Sequence, residues 1–359
     1  MGAFGPAMTA DARASLDANG AIVDWRYKLW SNTHNNLIEN AGRLLPAQLL
    51  DPPFKPAPPK PIPMPEGAGD RNSIPLYRTP NLHVQPHFLP DMPIRVSAMR
   101  SLGAHMNLFA LESFMDELAA AVHADPVEFC LRHLDDPRAW NVIQAAAKRF
   151  GWQPHAAGAR SGERQARGTG FAFAQCKNLM AYFAIAMDVT VSRDTAEIRL
   201  ERVVAAVDCG QIVNPDGVRN QIEGGILQTS NWTFLEATRF DHKHITSCDW
   251  EHLSDHALFV RAEAGGDSTN RSSGLAVPRR GRGGTRPGGG RARQRDRRCD
   301  GHENPRSALA SPGRGPPAQS LTGVCNHLPR RAFCSICCID SMYSRAAFAH
   351  LKSLGSRSE

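Results

Sequence analysis

The sequence predicts an α+β fold, and three observations carry that prediction. Residues 12–33 alternate between apolar and polar side chains on either side of Asn19-Gly20, which is the pattern of a β-hairpin. From 108 to 150 the apolar residues recur every three or four positions, as they do on one face of a helix. From 168 to 207 the period returns to two, which predicts three strands. Strands and helices grouped in this way are typical of α+β proteins.

A proline-rich segment, residues 45–93, separates the hairpin from the helices and includes DPPFKPAPPKPIPMPEG. Proline lacks an amide hydrogen and favours extended backbone, so we expect an irregular segment without a core of its own. Ile74, Leu76, Tyr77 and Phe88 are large apolar side chains that call for burial. Two interpretations stay open, which are an ordered wrap over the domain surface and a flexible linker.

Three helices are expected after this segment. Asp125-Pro126 and Asp136-Pro137 each join an N-cap carboxylate to a proline in the first turn, which is how a helix begins. Gly151 follows the last apolar residue, Phe150, and is expected to end the third helix. The first helix has one apolar face, made of Leu108, Leu111, Met115, Leu118 and Val122.

The most informative motif is AVDCGQIVNPDGVRNQIEGGILQ, residues 206–228. Asn214 is expected to cap a helix that begins at Pro215, with further strands following to about residue 245. Free backbone N–H groups at such a helix N-terminus suit an anionic, phosphate-bearing cofactor. The alternative is that the glycines only let this helix pack closely on a neighbour. The polar first turns carry Gln221, Gly224 and Gly225.

A second motif, SAMRSLGAHMN at residues 97–107, precedes the first helix. The Arg100 guanidinium can form paired hydrogen bonds to a phosphate or carbonyl oxygen, and Gly103 allows the backbone to come close. The alternative is an arginine that is solvated or paired with a surface carboxylate such as Asp116.

Together the motifs resemble the molybdopterin-binding large subunits of the xanthine dehydrogenase and aldehyde oxidase family. The likeness is closest to the isoquinoline 1-oxidoreductase beta-subunit type and runs from residue 5 to about residue 251. It is carried by four segments: WSNTHNN (30–36), PIPMPEGAGDRNSIPLY (61–77), RSLGAHMNLFALESFMDELA (100–119) and VDCGQIVNPDGVRNQIEGGILQ (207–228).

The resemblance implies an oxidoreductase subunit that binds molybdopterin and hydroxylates an N-heterocycle or an aldehyde with oxygen from water. In such enzymes the cofactor supplies the chemistry, while the protein binds and orients. The resemblance also implies a small partner subunit that carries a 2Fe-2S cluster.

The site residues follow from the same resemblance. Arg100 matches the family's catalytic-site arginine near the metal, which orients substrate, and Gln221 matches the glutamine that hydrogen-bonds the pterin. Asp208 and Asn214 are interpreted as structural residues that fix the turn before Gln221. No side chain is expected to ligate the metal. The remaining cofactor-binding positions are Ser101, Leu102, Gly103, Gly224 and Gly225.

Two departures from the family pattern bear on activity. The family's upstream Gly-Gln-Gly loop, which cradles the cofactor, is not in this chain. No Gly-x-Gly-Glu follows Gln221, where the family places its general-base glutamate; the corresponding neighbourhood is GRGGTRPGGG, residues 281–290. Since general-base catalysis is worth about two to four orders of magnitude in rate, we expect the isolated chain to be inactive. A remnant that folds or pairs with a partner subunit without catalysis stays open as an alternative.

The basic character of the chain lies in its last third. Residues 1–251 hold 24 Lys and Arg against 27 Asp and Glu, whereas 252–359 hold 18 against 8. Residues 271–298 contain ten arginines and no lysine. Such a run, without hydrophobic period, is what GC-rich DNA read in a wrong frame yields. We therefore expect a partial molybdopterin-binding domain at 1–251 and, after a frameshift near His252, a disordered non-native tail at 252–359.

The tail and the histidines raise other functions as well. An Arg-rich nucleic-acid-binding tail would need interleaved aromatic residues, and Phe259 is the only one from 253 to 332. The Cys-x-x-Cys at 334–337 has no second well-spaced pair, so we interpret it as incidental rather than as a zinc site. His34 and the His-Lys-His at 242–244 are interpreted as surface histidines.

The expected compartment follows from three further features of the sequence. No stretch approaches the roughly 18 apolar residues of a membrane span, and the N-terminus lacks the pattern of a secretion signal. Cysteines up to residue 251 are scattered without a pairing pattern, which favours a reducing compartment. The chain as written predicts the cytoplasm; export of full-length relatives to the periplasm stays open.

Overall fold

The computed structural model describes residues 4–34, 49–53, 58–62, 67–94, 96–154, 160–161, 164–195, 197–234 and 236–247, with the backbone of two further strands at 262–264 and 273–277. These residues form an α+β fold, as the sequence predicts. Among them, no helix is both long enough and apolar enough to cross a bilayer.

The predicted hairpin is present at the N-terminus. Strands β1 (Met8–Leu16) and β2 (Ile22–Ser31) pair antiparallel. In the turn, an Asp17 carboxylate oxygen accepts the amide hydrogens of Asn19 and Ala21 at 2.9 and 2.8 Å. Gly20 has a φ of 75°, a left-handed conformation that glycine adopts without steric cost.

The proline-rich segment contributes a strand that the sequence analysis did not predict. Strand β3 (Asn81–Phe88) pairs parallel to β2 at the edge of a three-stranded sheet, β1-β2-β3. Pro86 is tolerated there because an edge strand has one side without ladder partners. Tyr77 is buried as expected, but Ile74 is 42% exposed, so the expectation of burial was wrong for Ile74.

The three expected helices are present: α1 (Ala104–Ala121), α2 (Pro126–Arg132) and α3 (Pro137–Phe150). Helices α2 and α3 begin at the expected Asp-Pro signals. The Asp125 and Asp136 carboxylates accept amide hydrogens of the first turns of α2 and α3. Gly151 ends α3 in the left-handed conformation, with a φ of 72°.

A second, antiparallel sheet has the strand order β4-β5-β6-β7-β9-β8 in the described part of the chain. The predicted strands appear as β5, β6 and β7, followed by helix α4 (Pro215–Phe234). The bounds are β4 (Arg160–Ser161), β5 (Gln165–Gln175), β6 (Tyr182–Ser192), β7 (Ile198–Asp208), β8 (Ala262–Ala264) and β9 (Ser273–Val277).

The expectation of strands up to residue 245 was wrong. Residues 236–247 hold only an isolated bridge between Phe240 and Ile245. The sheet is completed instead by β8 and β9, which lie beyond residue 251. These eight residues are therefore strand, although the sequence analysis assigned them to a disordered tail. The rest of that tail, with its arginine run and its Cys-x-x-Cys, lies outside the described residues.

Alternate residues of the large sheet pack on opposite sides, as a period of two requires. Phe173, Ala184 and Val204 join a core with α3, α1 and the hairpin. Ala172, Ile185 and Val203 join a second core with α4 and the start of α1. The start of α1 and helix α4, which carry the sequence motifs, thus share one face of the sheet, while the rest of α1 packs in the first core.

Candidate functional site

The turn between β7 and α4 is fixed at both ends by side chains. The Asp208 carboxylate accepts the amide hydrogen of Gly210 at 3.0 Å, and Gly210 has a φ of 75°. The Asn214 side-chain oxygen accepts the amide hydrogen of Gly217 at 2.9 Å, which is N-cap geometry. The backbone ahead of Gln221 is therefore set by Asp208 and Asn214, in the way their interpretation as structural residues requires.

Arg138 supports the same turn, and the sequence analysis missed it. Its guanidinium donates two hydrogen bonds to the Asp208 carboxylate, at 2.8 and 2.9 Å, and lies 4.7 Å from the centre of the Tyr182 ring. The Tyr182 hydroxyl donates to Asp136, the cap of α3. Burial, together with this hydrogen bond, raises the pKa of Tyr182 to about 12. No local signal marks Arg138, because its partner lies 70 positions away.

The two sequence motifs meet at Arg100 and Gln221. One Arg100 nitrogen, Nη2, donates to the main-chain oxygen of Gln221 at 2.9 Å and lies 3.4 Å from its side-chain oxygen Oε1. A Cβ atom added to Gly225 would lie 3.3 Å from the same nitrogen, and one added to Gly224 would lie 3.9 Å from Nη1. Gly225 thus leaves room for the guanidinium, so the neighbour on which this part of the helix packs closely is Arg100.

The backbone after Arg100 is strained and closely packed. Ser101 and Leu102 have φ values of 75° and 55°, in a region that residues with a side chain rarely adopt. The Gly103 amide donates to the Ala68 carbonyl at 2.9 Å. A Cβ atom on Gly103 would lie 2.3 Å from that oxygen, closer than Cβ atoms approach in real structures. Strained backbone of this kind persists only where the surroundings hold it in place.

Asn107, a buried asparagine in the first turn of α1, holds the backbone that packs against Gly103. Asn107 is fully buried and uses its whole amide: Oδ1 accepts from the Tyr27 hydroxyl, and Nδ2 donates to the carbonyls of Gly69 and Arg71, each at 2.8 Å. Sequence reasoning did not single out Asn107, although RSLGAHMN contains it. Its partners lie 36 to 80 positions away.

His34 lies close to this region and is not a surface histidine. It is 3% exposed, and its Nε2 lies 2.8 Å from the Ser31 hydroxyl. Burial lowers the pKa of His34 to about 4, and the charges of His105 and Arg71 act in the same direction. The interpretation as a surface residue was wrong: His34 lies three positions after the end of β2, in the buried run of residues 31–34. Among the described residues, no group of three or more His, Cys, Asp or Glu side chains could hold a metal ion.

Comparison with known proteins matches residues 101–248 to the molybdopterin cofactor-binding domain family. The B subunit of nicotinate dehydrogenase from Pseudomonas putida is 39% identical over 202 residues, which cover 53% of this chain and 17% of that protein. The beta subunit of isoquinoline 1-oxidoreductase from Brevundimonas diminuta is 34% identical over 148 residues, which cover 41% of this chain and 18% of that protein. The nicotinate dehydrogenase protein is the more similar of these two, whereas the motifs alone favoured the isoquinoline type.

Among solved structures, the aldehyde oxidoreductase of Desulfovibrio gigas superposes with a TM-score of 0.45 and 12% sequence identity, over 67% of this chain and 41% of that one. The chain spans less than a fifth of the length of the two curated relatives it matches. The family match begins at Ser101, directly after Arg100, and runs beyond Gly225. It therefore includes Gly103 and the motif of α4. The match of residues 101–248 to the molybdopterin cofactor-binding domain and the similarity to these two relatives therefore support the resemblance to the xanthine dehydrogenase and aldehyde oxidase family.

Proposed function

We propose that this chain forms the Arg100 and Gln221 side of the molybdopterin site in a molybdenum hydroxylase. The observation that carries the proposal is the junction of two motifs 121 positions apart, where Arg100 donates to Gln221 above Gly224 and Gly225. Gly225 gives the guanidinium the room it needs, since a Cβ atom there would lie 3.3 Å from Nη2, whereas Gly224 lies at an ordinary contact distance.

The donors present fit such a cofactor, which is rich in acceptor oxygens and nitrogens. Arg100 already bonds the oxygens of Gln221, which leaves the side-chain nitrogen Nε2 of that exposed glutamine as a donor toward the pterin. Gln221 would hydrogen-bond the pterin and Arg100 would orient the substrate. The cofactor, when bound, supplies the oxygen transfer and accepts the electrons. The backbone of Ser101, Leu102 and Gly103, with Gly224 and Gly225, would line the pocket.

Substrate and partner are proposed from the relatives. The two curated relatives are named for nicotinate and isoquinoline, which are both N-heterocycles, and both are named as subunits. We propose an N-heterocyclic substrate, with an aldehyde as the alternative, and a small 2Fe-2S protein as the partner subunit. A cytoplasmic location is proposed because the cysteines up to residue 251 are scattered without a pairing pattern, which favours a reducing compartment.

Catalysis would require a carboxylate at the site that acts as general base. Residues 222–359 contain no Gly-x-Gly-Glu to supply it. We therefore propose that this chain binds the cofactor without turning over substrate.

The proposal is tested by the cofactor content of the purified chain. After expression in cells that make molybdopterin, we expect molybdenum by mass spectrometry and pterin by fluorescence to copurify with the full chain. Gln221→Ala should retain about tenfold less, because one hydrogen bond to a polar ligand is worth roughly 1 kcal/mol or slightly more. Asn220→Ala, which removes an exposed neighbouring amide, is the matched control and should retain the parental content. Equal loss in both variants, or a parent without pterin, would contradict the proposal.

A further inference from the structure

Residues 67–74 connect two loops. One is the Arg100 loop, residues 100–103, and the other is the turn between β5 and β6, residues 176–181. At one end, Ala68 accepts the Gly103 amide, and the side chain of Asn107 donates to the carbonyls of Gly69 and Arg71. These bonds fix the segment against the residues that follow Arg100. The same segment then reaches the tight turn between β5 and β6.

Asn72 makes that second connection. It is 1% exposed, and its side-chain nitrogen donates to the carbonyl of Gln175 at 2.8 Å and to the side-chain oxygen of Asn178 at 2.7 Å. In the reverse direction, the Asn178 side chain donates to the carbonyl of Ile74 at 2.7 Å. Two asparagine side chains thus tie the segment to the turn in both directions.

Backbone strain concentrates along this route. Asn72, Lys177 and Asn178 have φ values of 60°, 54° and 54°. With Ser101 and Leu102 in the Arg100 loop, they make up five of the six non-glycine residues with positive φ in the described part of the chain. Asparagine tolerates this region better than most residues, because its short amide can hydrogen-bond locally. The Arg100 loop and the turn between β5 and β6 are therefore both hydrogen-bonded to the 67–74 segment.

We propose that Asn72 is a positioning residue for Arg100, which acts through the 67–74 segment by holding the Gly103 backbone in place. Because Arg100 is part of the proposed cofactor site, this inference rests on the proposed function for its consequence. The coupling of Asn72 to the Arg100 loop depends only on the hydrogen bonds described above.

Two variants of the full chain test the coupling at Asn72, and a third tests it from the other side. Asn72→Asp keeps the shape and the tolerance for positive φ, but it places a carboxylate against two acceptor oxygens, so the bonds to Gln175 and Asn178 are lost. Asn72→Gly keeps the backbone conformation and removes only the amide, which protects the test if the aspartate variant fails to fold. Asn178→Gly removes the reverse bond to Ile74.

The readout is hydrogen–deuterium exchange of the Gly103 amide, which bonds Ala68 and not Asn72. We expect exchange about tenfold faster in Asn72→Asp, and a smaller increase in the two glycine variants, relative to Ile143→Val. Ile143 lies fully buried in α3, so its variant lowers global stability without touching the segment. Gly103 exchange that matches the Ile143→Val control within about twofold in all three variants would overturn the proposal.

Cofactor content separates this inference from the proposed function. In an Arg100→Ala background, Asn72→Asp should cause no further loss of pterin, since Asn72 acts through Arg100. An additional loss equal to that in the parent would show a general structural role and overturn the positioning role. A parent chain without pterin would contradict the proposed function, while the exchange result would still decide the coupling.

Discussion

Replacing Gly103 with alanine is expected to lower the free energy of unfolding by about 3 kcal/mol, near the upper end for an overpacked core position. The added methyl group would lie 2.3 Å from the Ala68 oxygen and 2.4 Å from the Gly69 oxygen. Both are backbone atoms, and Asn107 holds the Gly69 carbonyl in place, so relief requires the whole segment to move. Backbone conformation adds nothing to this cost, because Gly103 has helical φ and ψ of −67° and −19°.

Gly224→Ala is the matched control for this prediction. Gly224 lies inside α4, and its added methyl group would meet only an Arg100 nitrogen at 3.9 Å, an ordinary contact. Alanine in a helix interior is favoured over glycine by roughly 0.5–1 kcal/mol. We therefore expect urea unfolding to show opposite signs for the two substitutions. Equal effects would mean that the packing of Gly103 against residues 68 and 69 is not as close as described.

The second large effect concerns a carboxyl group in the main core. Glu112 is 4% exposed and accepts hydrogen bonds from the Tyr77 hydroxyl at 2.7 Å and the Phe173 amide at 2.8 Å. Burial raises the pKa of Glu112 to about 8, although both hydrogen bonds act in the opposite direction. Between its unfolded value and pH 8, the native state therefore binds more protons at Glu112 than the unfolded state. The contribution of Glu112 to stability is present in full below its unfolded pKa, declines as pH rises across that window, and is lost once pH passes the folded pKa.

We expect the free energy of unfolding to drop by about 2 kcal/mol between pH 6.5 and 8, since one pKa unit corresponds to 1.36 kcal/mol. The pH range starts at 6.5 because His34 affects stability below that value. Its pKa is lowered in the folded state, so stability falls as pH drops below 6.5. Tyr77 and Cys130 stay neutral throughout, because burial raises the pKa of each well above its usual value.

Glu112→Gln should abolish this slope. The amide oxygen can accept from Phe173, while the Tyr77 hydroxyl turns to Cys130 Sγ, which already lies 3.4 Å away. Glu117→Gln on the exposed side of the same helix is the control and should keep the parental slope. Urea unfolding at pH 6.5, 7.2 and 8 measures the difference. A slope that survives in Glu112→Gln would assign the pH dependence to other groups.

Elements with local signals could be predicted from the sequence. The hairpin turn at Asn19-Gly20 and the helix starts at Asp125-Pro126 and Asn214-Pro215 depend on residues within a few positions of each other. Strand β3 could not be predicted in the same way, because it pairs parallel to a strand some 57 positions earlier and contains Pro86. Residues 236–247 were expected to form strand, but they hold only the isolated bridge between Phe240 and Ile245.

The candidate site likewise contains residues that the sequence identifies and residues that only the structure identifies. Arg100 and Gln221 lie in long motifs whose resemblance to a known family places them together, and the structure brings them into contact. Asn72, Asn107 and Arg138 lie in or near the same motifs, but their importance depends on partners 36 to 106 positions away. A single buried asparagine has no pattern in sequence that separates it from a solvated one. Only the folded arrangement shows which amide is fully used.

The central claim, that Arg100 and Gln221 form one wall of one molybdopterin site, is tested most directly by a double-mutant cycle on cofactor affinity. Pterin retention would be measured by fluorescence in the parent, Arg100→Ala, Gln221→Ala and the double variant. Because the two side chains are in contact, we expect a coupling of about 0.5–3 kcal/mol, so that the double variant loses less than the sum of the single losses. Single losses that add within about 0.3 kcal/mol, or that are absent, would contradict the account.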